Sequence, residues 1–275
     1  MKCRRLVNSM IVLIFCAVVA VIVLSPILWG VIVSLKTRVD ALSMPPTWFF
    51  TPTFENYRAA FVEGPYARTI VNSLVIAAMS SVAAILIGVP AAYAFSRAKF
   101  CGSRAIFLGI LAVRMAPATV IALPLYLIFS RFGLIDTYAA IILVHSAVNV
   151  VLVIWVMKGF IDEVPAEIDE ASLLDGDSRF TAMRRQVLPV CVSGLLVTTA
   201  FCFINSWNEF TLALILTGYD TRPYTVAVPA LITPHGTYWG QVTAIATIGL
   251  IPGIVFALLA RRYLIRELTA GAVRR

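Results

Sequence analysis

Six long, almost wholly apolar stretches constrain this chain more than any other feature: 10–34, 69–95, 105–130, 137–159, 190–217 and 238–263. A helix needs about 20 mostly apolar residues to cross the hydrocarbon of a bilayer, and each stretch is long enough. Composition closes off the alternative. Of 275 residues, 60% are hydrophobic and 13% charged, where an ordinary soluble domain carries about 25% charge. Inside lipid every backbone polar group must be satisfied within its own segment or barrel, so each span is expected to be a helix. The alternating pattern of a membrane barrel is absent. The expectation is an all-α membrane protein with six transmembrane helices in a single transmembrane domain, 1–275. The first stretch follows Lys2, Arg4 and Arg5, as a signal peptide would. It is too long for a signal h-region and lacks a small-residue cleavage site, so it reads as an uncleaved helix.

Orientation follows from Lys and Arg, which concentrate in cytoplasmic loops. Most of the 22 basic residues fall in four segments: the N-terminus, the connection with Arg97, Lys99 and Arg104, the connection with Lys158, Arg179, Arg184 and Arg185, and a C-terminus with Arg261, Arg262, Arg266, Arg274 and Arg275. Both termini are therefore expected in the cytoplasm, with the chain multi-pass in the cytoplasmic (inner) membrane and in contact with lipid. The net charge of +8 orients the protein, and no nucleic-acid partner is expected. Cys3, Cys16, Cys101, Cys191 and Cys202 make no CxxC pair, and His145 and His235 stand far apart, so no metal site is expected. The outer loop 36–68 holds Pro45, Pro46 and Pro52, which rule out one continuous helix. Phe54, Tyr57 and Phe61 in it have helical spacing. They suit a short surface helix, either an aromatic belt at the headgroups or a docking face.

The segment 163–189 between the fourth and fifth spans is polar. Pro165 suits a helix first turn, and Glu167, Asp169 and Glu170 sit near the positive end of the helix dipole. Asp175-Gly176 ends that helix, and Asp177 or Ser178 caps a second. In the second, Phe180, Met183 and Val187 are expected on one face. The chain has no G-x-x-x-x-G-K-[ST] phosphate loop, so it does not bind ATP by that route.

Glu170-Ala171-Ser172, three residues, Gly176, nine residues, then Gln186-Val187-Leu188-Pro189 resembles the EAA motif of the inner-membrane permease subunits of binding-protein-dependent ABC importers. The departures are Ser172 for the second Ala and Gln186 for Ile. Further matches run in order along the chain: Phe54-x-Asn56-Tyr57, Asn72-Ser73-Leu74, Gly133-Leu-Ile-Asp136-Thr-Tyr138, Trp207-Asn208-Glu209-Phe210 and Leu268-Thr-Ala-Gly271. They resemble the carbohydrate-uptake branch, in particular the second permease subunit of the maltose type.

The resemblance implies a core of five helices over 69–263, a cytoplasmic coupling loop over 163–189 and a cytoplasmic tail over 264–275. It implies partners: a second permease, of a different chain, two ATP-binding subunits and an extracytoplasmic solute-binding protein. It implies a transport subunit for a sugar or sugar-derived solute, not an enzyme, with no catalytic residue and no cofactor of its own. ATP-Mg would be bound by the partner subunits. It assigns ATPase coupling to Glu167, Glu170, Ala171, Ser172, Asp175, Gly176, Leu188 and Pro189.

Polar groups inside a bilayer are costly and point to function. Arg114, Asn149, Asn205, Asn208 and Glu209 are candidates for a translocation path, or else for hydrogen bonds between helices. The competing reading is a stand-alone secondary transporter or channel that uses Arg114 and Glu209.

Overall fold

The computed structural model describes the backbone of residues 2–98, 100–234 and 236–273, and side chains from residue 10 to 256, apart from positions 99 and 235, and at 258. Lys99, His235, Arg274 and Arg275 lie outside the described residues, as do the basic side chains of both chain ends. The chain forms α1 (Lys2–Ser34), α2 (Arg38–Leu42), α3 (Glu55–Arg58), α4 (Tyr66–Arg97), α5 (Ser103–Arg114), α6 (Ala118–Arg131) and α7 (Tyr138–Asp162). There follow α8 (Ala166–Leu174), α9 (Arg179–Ala182), α10 (Leu188–Val190), α11 (Val192–Trp207), α12 (Thr211–Leu216), α13 (Tyr224–Ala227) and α14 (Trp239–Val273). A two-residue ladder, β1 (Ile232–Thr233) with β2 (Gly236–Thr237), is antiparallel.

Four segments are long and apolar enough to cross a membrane: Met10–Ser34, Tyr66–Arg97, Tyr138–Asp162 and Trp239–Phe256. Two expected spans are not straight. α5 meets α6 at 92°, and Arg179–Val190 meets α11 at 88°, so the count reaches six only if each bent pair is one span. The continuous helix expected over 105–130 breaks at Met115–Pro117. Pro117 has no N–H to donate, and it pushes the residue before it out of helical geometry. The helix expected over 190–217 starts after Cys191, stops at Trp207 and resumes as α12. Its second break is made by Glu209, whose carboxylate accepts from Leu212 N–H (2.8 Å) and Ala213 N–H (2.9 Å). Those are donors that a helix start leaves unpaired.

Backbone contacts divide the chain into two units, 1–67 with 228–251, and 68–227 with 252–275. In the first, Asn56 donates from Nδ2 to the carbonyls of Ser34 (2.9 Å) and Lys36 (2.7 Å). Gly240 leaves room for it, since a Cβ there would stand 2.3 Å from Asn56 Oδ1. Lys36 is buried, gives Nζ to Thr47 O (2.6 Å) and lies over the rings of Trp29 and Phe50. Phe54 lies tilted against Tyr57, and Tyr57 stacks on Phe61, along α3 and the π-turn Ala59–Glu63 that extends it.

The second unit is organised around α7, which buries residues on all sides. One apolar cluster joins Ala84, Val89, Val153, Met157, Ile161, Met183 and Val187. Another joins Ile76, Ala122, Ile141, Val144, Leu212 and Leu216. Two glycines set how closely helices approach α7. A Cβ on Gly88 would lie 2.6 Å from Val153 Cβ, and one on Gly194 would lie 2.4 Å from the Phe160 ring. Overpacking of this kind costs about 1–3 kcal/mol. Gly88→Ala and Gly194→Ala should therefore lower the thermal midpoint of the detergent-solubilised protein. Gly109→Ala, where nothing lies within 4 Å, should not. Equal midpoints in all three would refute the close-packing account.

Candidate functional site

The segment between α7 and α11 is built as two short helices around a glycine. α8 ends at Asp175-Gly176, where Gly176 takes φ 92, a left-handed conformation that glycine adopts without strain. Asp177 N–H returns to Ser172 O (3.1 Å), and the Ser172 hydroxyl donates to Asp177 Oδ2 (2.8 Å). The serine thus ties the turn with a bond that alanine lacks. Ser178 caps α9, accepting from Thr181 N–H (3.2 Å). The π-turn Met183–Val187 then slips the helical register by about one residue. Met183 and Val187 are buried, while Phe180 is 62% exposed. The expected shared face of all three is corrected accordingly. Gln186 is exposed and the adjoining Val187 fully buried, so the apolar anchor of this turn is Val187.

α8 has two unlike faces. Glu167, Glu170 and Ala171 are exposed, as are Asp175 and Gly176 just past its end, while Asp169 and Ser172 are buried. Asp169 is held from α4. Arg97, the last residue of α4, bonds Asp169 Oδ2 through Nε and gives Nη2 to Val164 O (2.7 Å). Tyr93, one turn earlier, donates to Asp169 Oδ1 (3.1 Å). Side-chain exposure is 12% for Arg97 and 6% for Asp169. The Asp169 carboxylate, paired with Arg97, can only accept, so the Tyr93 hydroxyl is the donor of this bond.

A second site is a cleft of about 490 Å³ beside the bend between α5 and α6, lined by residues that include Arg114, His145, Asn205, Ser206 and Glu209. Arg114 gives Nη1 to Val148 O (3.2 Å). His145 Nε2 lies 3.3 Å from Glu209 Oε2. His145 Nδ1 is buried and has no hydrogen-bond partner among the described residues. Behind the cleft, Asn149 is fully buried. It donates to Cys202 O (3.2 Å) and Ser206 Oγ (2.9 Å) and accepts from Asn205 Nδ2 (2.9 Å). Ser80 and Ser206 hydroxyls meet at 2.9 Å. These bonds fasten α4, α7 and α11 together.

Residues 84–270 match the model of the family described as binding-protein-dependent transport system inner membrane component. The chain belongs to that family. It is 34% identical over 270 residues to a probable ABC transporter permease protein, y4oR, of Sinorhizobium fredii, covering 98% of this chain and 97% of the relative. It is 29% identical over 275 residues to the trehalose/maltose transport system permease protein MalG of Thermococcus litoralis, covering 98% and 99%. A crystal structure of a bacterial ABC transporter involved in the import of the acidic polysaccharide alginate contains a chain of the same fold. Its TM-score is 0.78 at 19% identity, over 94% of this chain and 96% of that one.

Within this family fold the residues singled out from sequence separate. Glu167, Glu170, Ala171, Asp175 and Gly176 form one exposed surface, with Ser172 behind it. Leu188 is half-buried and Pro189 exposed at the entry to α11. Arg114, Asn205 and Glu209 line the cleft, whereas Asn149 and Asn208 do not. Asn208 is exposed and donates to Ile204 O (3.0 Å). Sequence reading missed the grip of Arg97 and Tyr93 on Asp169. The one available signal was an arginine ending a span while an acidic helix followed the next pair of spans.

Proposed function

We propose that this chain is the permease subunit of an ATP-driven importer and forms, with a second permease, the path for a sugar or sugar-derived solute. On this reading the chain crosses the membrane six times, with both termini and α8 in the cytoplasm. An extracytoplasmic binding protein delivers the solute, and two partner subunits bind and hydrolyse ATP. The chain performs no chemistry of its own and needs no cofactor. The observation that carries the reading is the split of α8 into a face buried against α4 and an exposed face of Glu167, Glu170 and Ala171. Acidic residues on a rigidly held helix suit docking of a second protein whose facing surface is basic. Movement of that helix biases two states of the bundle, inward- and outward-facing, which differ in the contacts they make. Family membership and the trehalose/maltose system of the Thermococcus relative support the substrate class.

The cleft suits such a cargo. Asn205 and the Arg114 guanidinium offer hydrogen bonds to hydroxyl groups against an apolar wall. A stand-alone carrier is less well supported, because Arg114 and Glu209 make no ion pair and each is bonded elsewhere. The test is reconstitution. In vesicles the isolated chain should import neither labelled trehalose nor labelled maltose. Assembled with its second permease and ATP-binding subunits, it should support ATP hydrolysis that the loaded binding protein stimulates. ATP-independent import by the chain alone would overturn the reading.

A further inference from the structure

The geometry points to Arg97 as the residue that transmits motion of α8 to the membrane helix α4, a role that rests on the reading of α8 as the ATPase-docking helix. Three bonds converge from the last two turns of α4. Arg97 holds Asp169 of α8 through Nε and the carbonyl of Val164, at the α7–α8 junction, through Nη2 (2.7 Å). Tyr93 takes the other Asp169 oxygen (3.1 Å). Ser96 extends the grip by donating to Asp162 Oδ1 (2.6 Å) at the end of α7. Both oxygens of one carboxylate are thus held from one helix end, in a place where side-chain exposure is 12% or less.

A guanidinium is a planar fork with fixed donor directions, so it resists both sliding and rotation of what it holds. A lysine would supply charge at a single point on a flexible stem, without the fixed fork that holds acid and carbonyl in one orientation. α8 meets solvent on its opposite face, and its other packing is against α9 and the π-turn of the same polar segment. The side-chain grip on Asp169 is the direct connection by which a load applied to Glu170 or Ala171 reaches the end of α4. Pro90 lies within α4, two turns further on. Arg97 acts here as a positioning residue and touches neither solute nor nucleotide.

The test measures relative motion, which needs no known solute. Nitroxide labels are attached at Leu86→Cys on α4 and Leu174→Cys at the end of α8, both exposed positions. The five native cysteines are replaced by alanine, and the chain is studied in its complete transporter. With Arg97 present, the distance between the labels should be the same without nucleotide and with ATP and vanadate. With Arg97→Lys, trapping should shift or broaden it by a few ångströms, the scale of helix movements in such switches. A wild-type distance that changes on trapping overturns the proposal. So does an Arg97→Lys distance that stays fixed. Arg97→Gln is the second variant, and failure of both variants to assemble also overturns it, because the contact then serves folding alone. A label pair between Leu174→Cys and the second permease reports whether ATP moves the assembly. No movement there refutes the docking role of α8 itself, and the transmission role with it.

Discussion

Replacing Asp136 by alanine should destabilise the detergent-solubilised protein by about 3 kcal/mol at neutral pH, a loss set by the backbone donors it strands. Asp136 Oδ1 accepts from Gly218 N–H (2.7 Å), Thr221 N–H (3.0 Å) and the Thr221 hydroxyl (2.7 Å), and Oδ2 accepts from Asp220 N–H (3.0 Å). Its own N–H reaches Leu216 O (2.9 Å). One side chain thus organises the turn after α12. Its backbone sits at φ 59, which Asp tolerates better than Ala. Gly218 is small because a Cβ there would lie 2.6 Å from Asp136 Oδ2. Burial alone would raise the Asp136 pKa. The hydrogen bonds from Asp220, Thr221 and Gly218 outweigh it and lower the value from 3.8 to about 2. A depressed carboxylate contributes stability that is fully present above its ordinary pKa and is lost as pH falls through the folded value. The gap in thermal midpoint between wild type and Asp136→Ala should therefore be widest above pH 4 and close toward pH 2. Asp136→Asn should retain part of it. A gap that does not vary with pH, or no gap at neutral pH, would remove the charge from this account.

The same corner shows what the sequence could and could not disclose. Gly133 to Tyr138 and Asn72-Ser73 stood out only as family-like strings, without a physical role. In the structure Gly133 takes φ 66, Thr137 caps α7 by accepting from Ala140 N–H (3.3 Å), and Tyr138 donates to Asn72 Oδ1 (2.6 Å). Asn72 Nδ2 then binds the carbonyls of Asp220 (3.1 Å) and Arg222 (3.0 Å), and Ser73 Oγ accepts from Tyr224 N–H (2.9 Å). Strings that are scattered along the chain prove to be one hydrogen-bonded junction. Hydrophobic length identified the long helices well, because lipid sets that length. It could not reveal the bends at Met115–Pro117 and Cys191, since an apolar stretch has the same composition straight or folded. The α8 turn was legible because Gly176 and Ser178 act locally. The burial of Asp169 was not, because it depends on Arg97, a partner distant in sequence.

Charge reversal at Glu170 should uncouple the transporter while leaving the chain folded. Glu170 is exposed on α8 and accepts no hydrogen bond from any described residue. It lies next to Asp169, which is committed inward to Arg97 and Tyr93. A surface substitution away from packed contacts changes stability by about 0.5 kcal/mol or less. Glu170→Arg should accordingly match wild type in membrane insertion and thermal midpoint. Under the proposed docking of α8, its effect falls on the complex with the ATP-binding subunits. Reversing a charge at a protein interface places like against like, or strands a partner's cation, and costs several kcal/mol. Even about 1.4 kcal/mol weakens association tenfold. ATP-driven import by the assembled transporter should therefore drop at least about tenfold, and the ATP-binding subunits should be lost from the purified complex. Ala171→Trp, on the same exposed face, should have the same effect through bulk alone, because close approach needs a small residue there. Phe180→Ala is the contrast: Phe180 is also exposed but belongs to α9, on the far side of the Gly176 turn. If Glu170→Arg and Ala171→Trp import at the wild-type rate while Phe180→Ala does not, the docking surface is α9, and the acidic face of α8 serves only to keep that loop soluble.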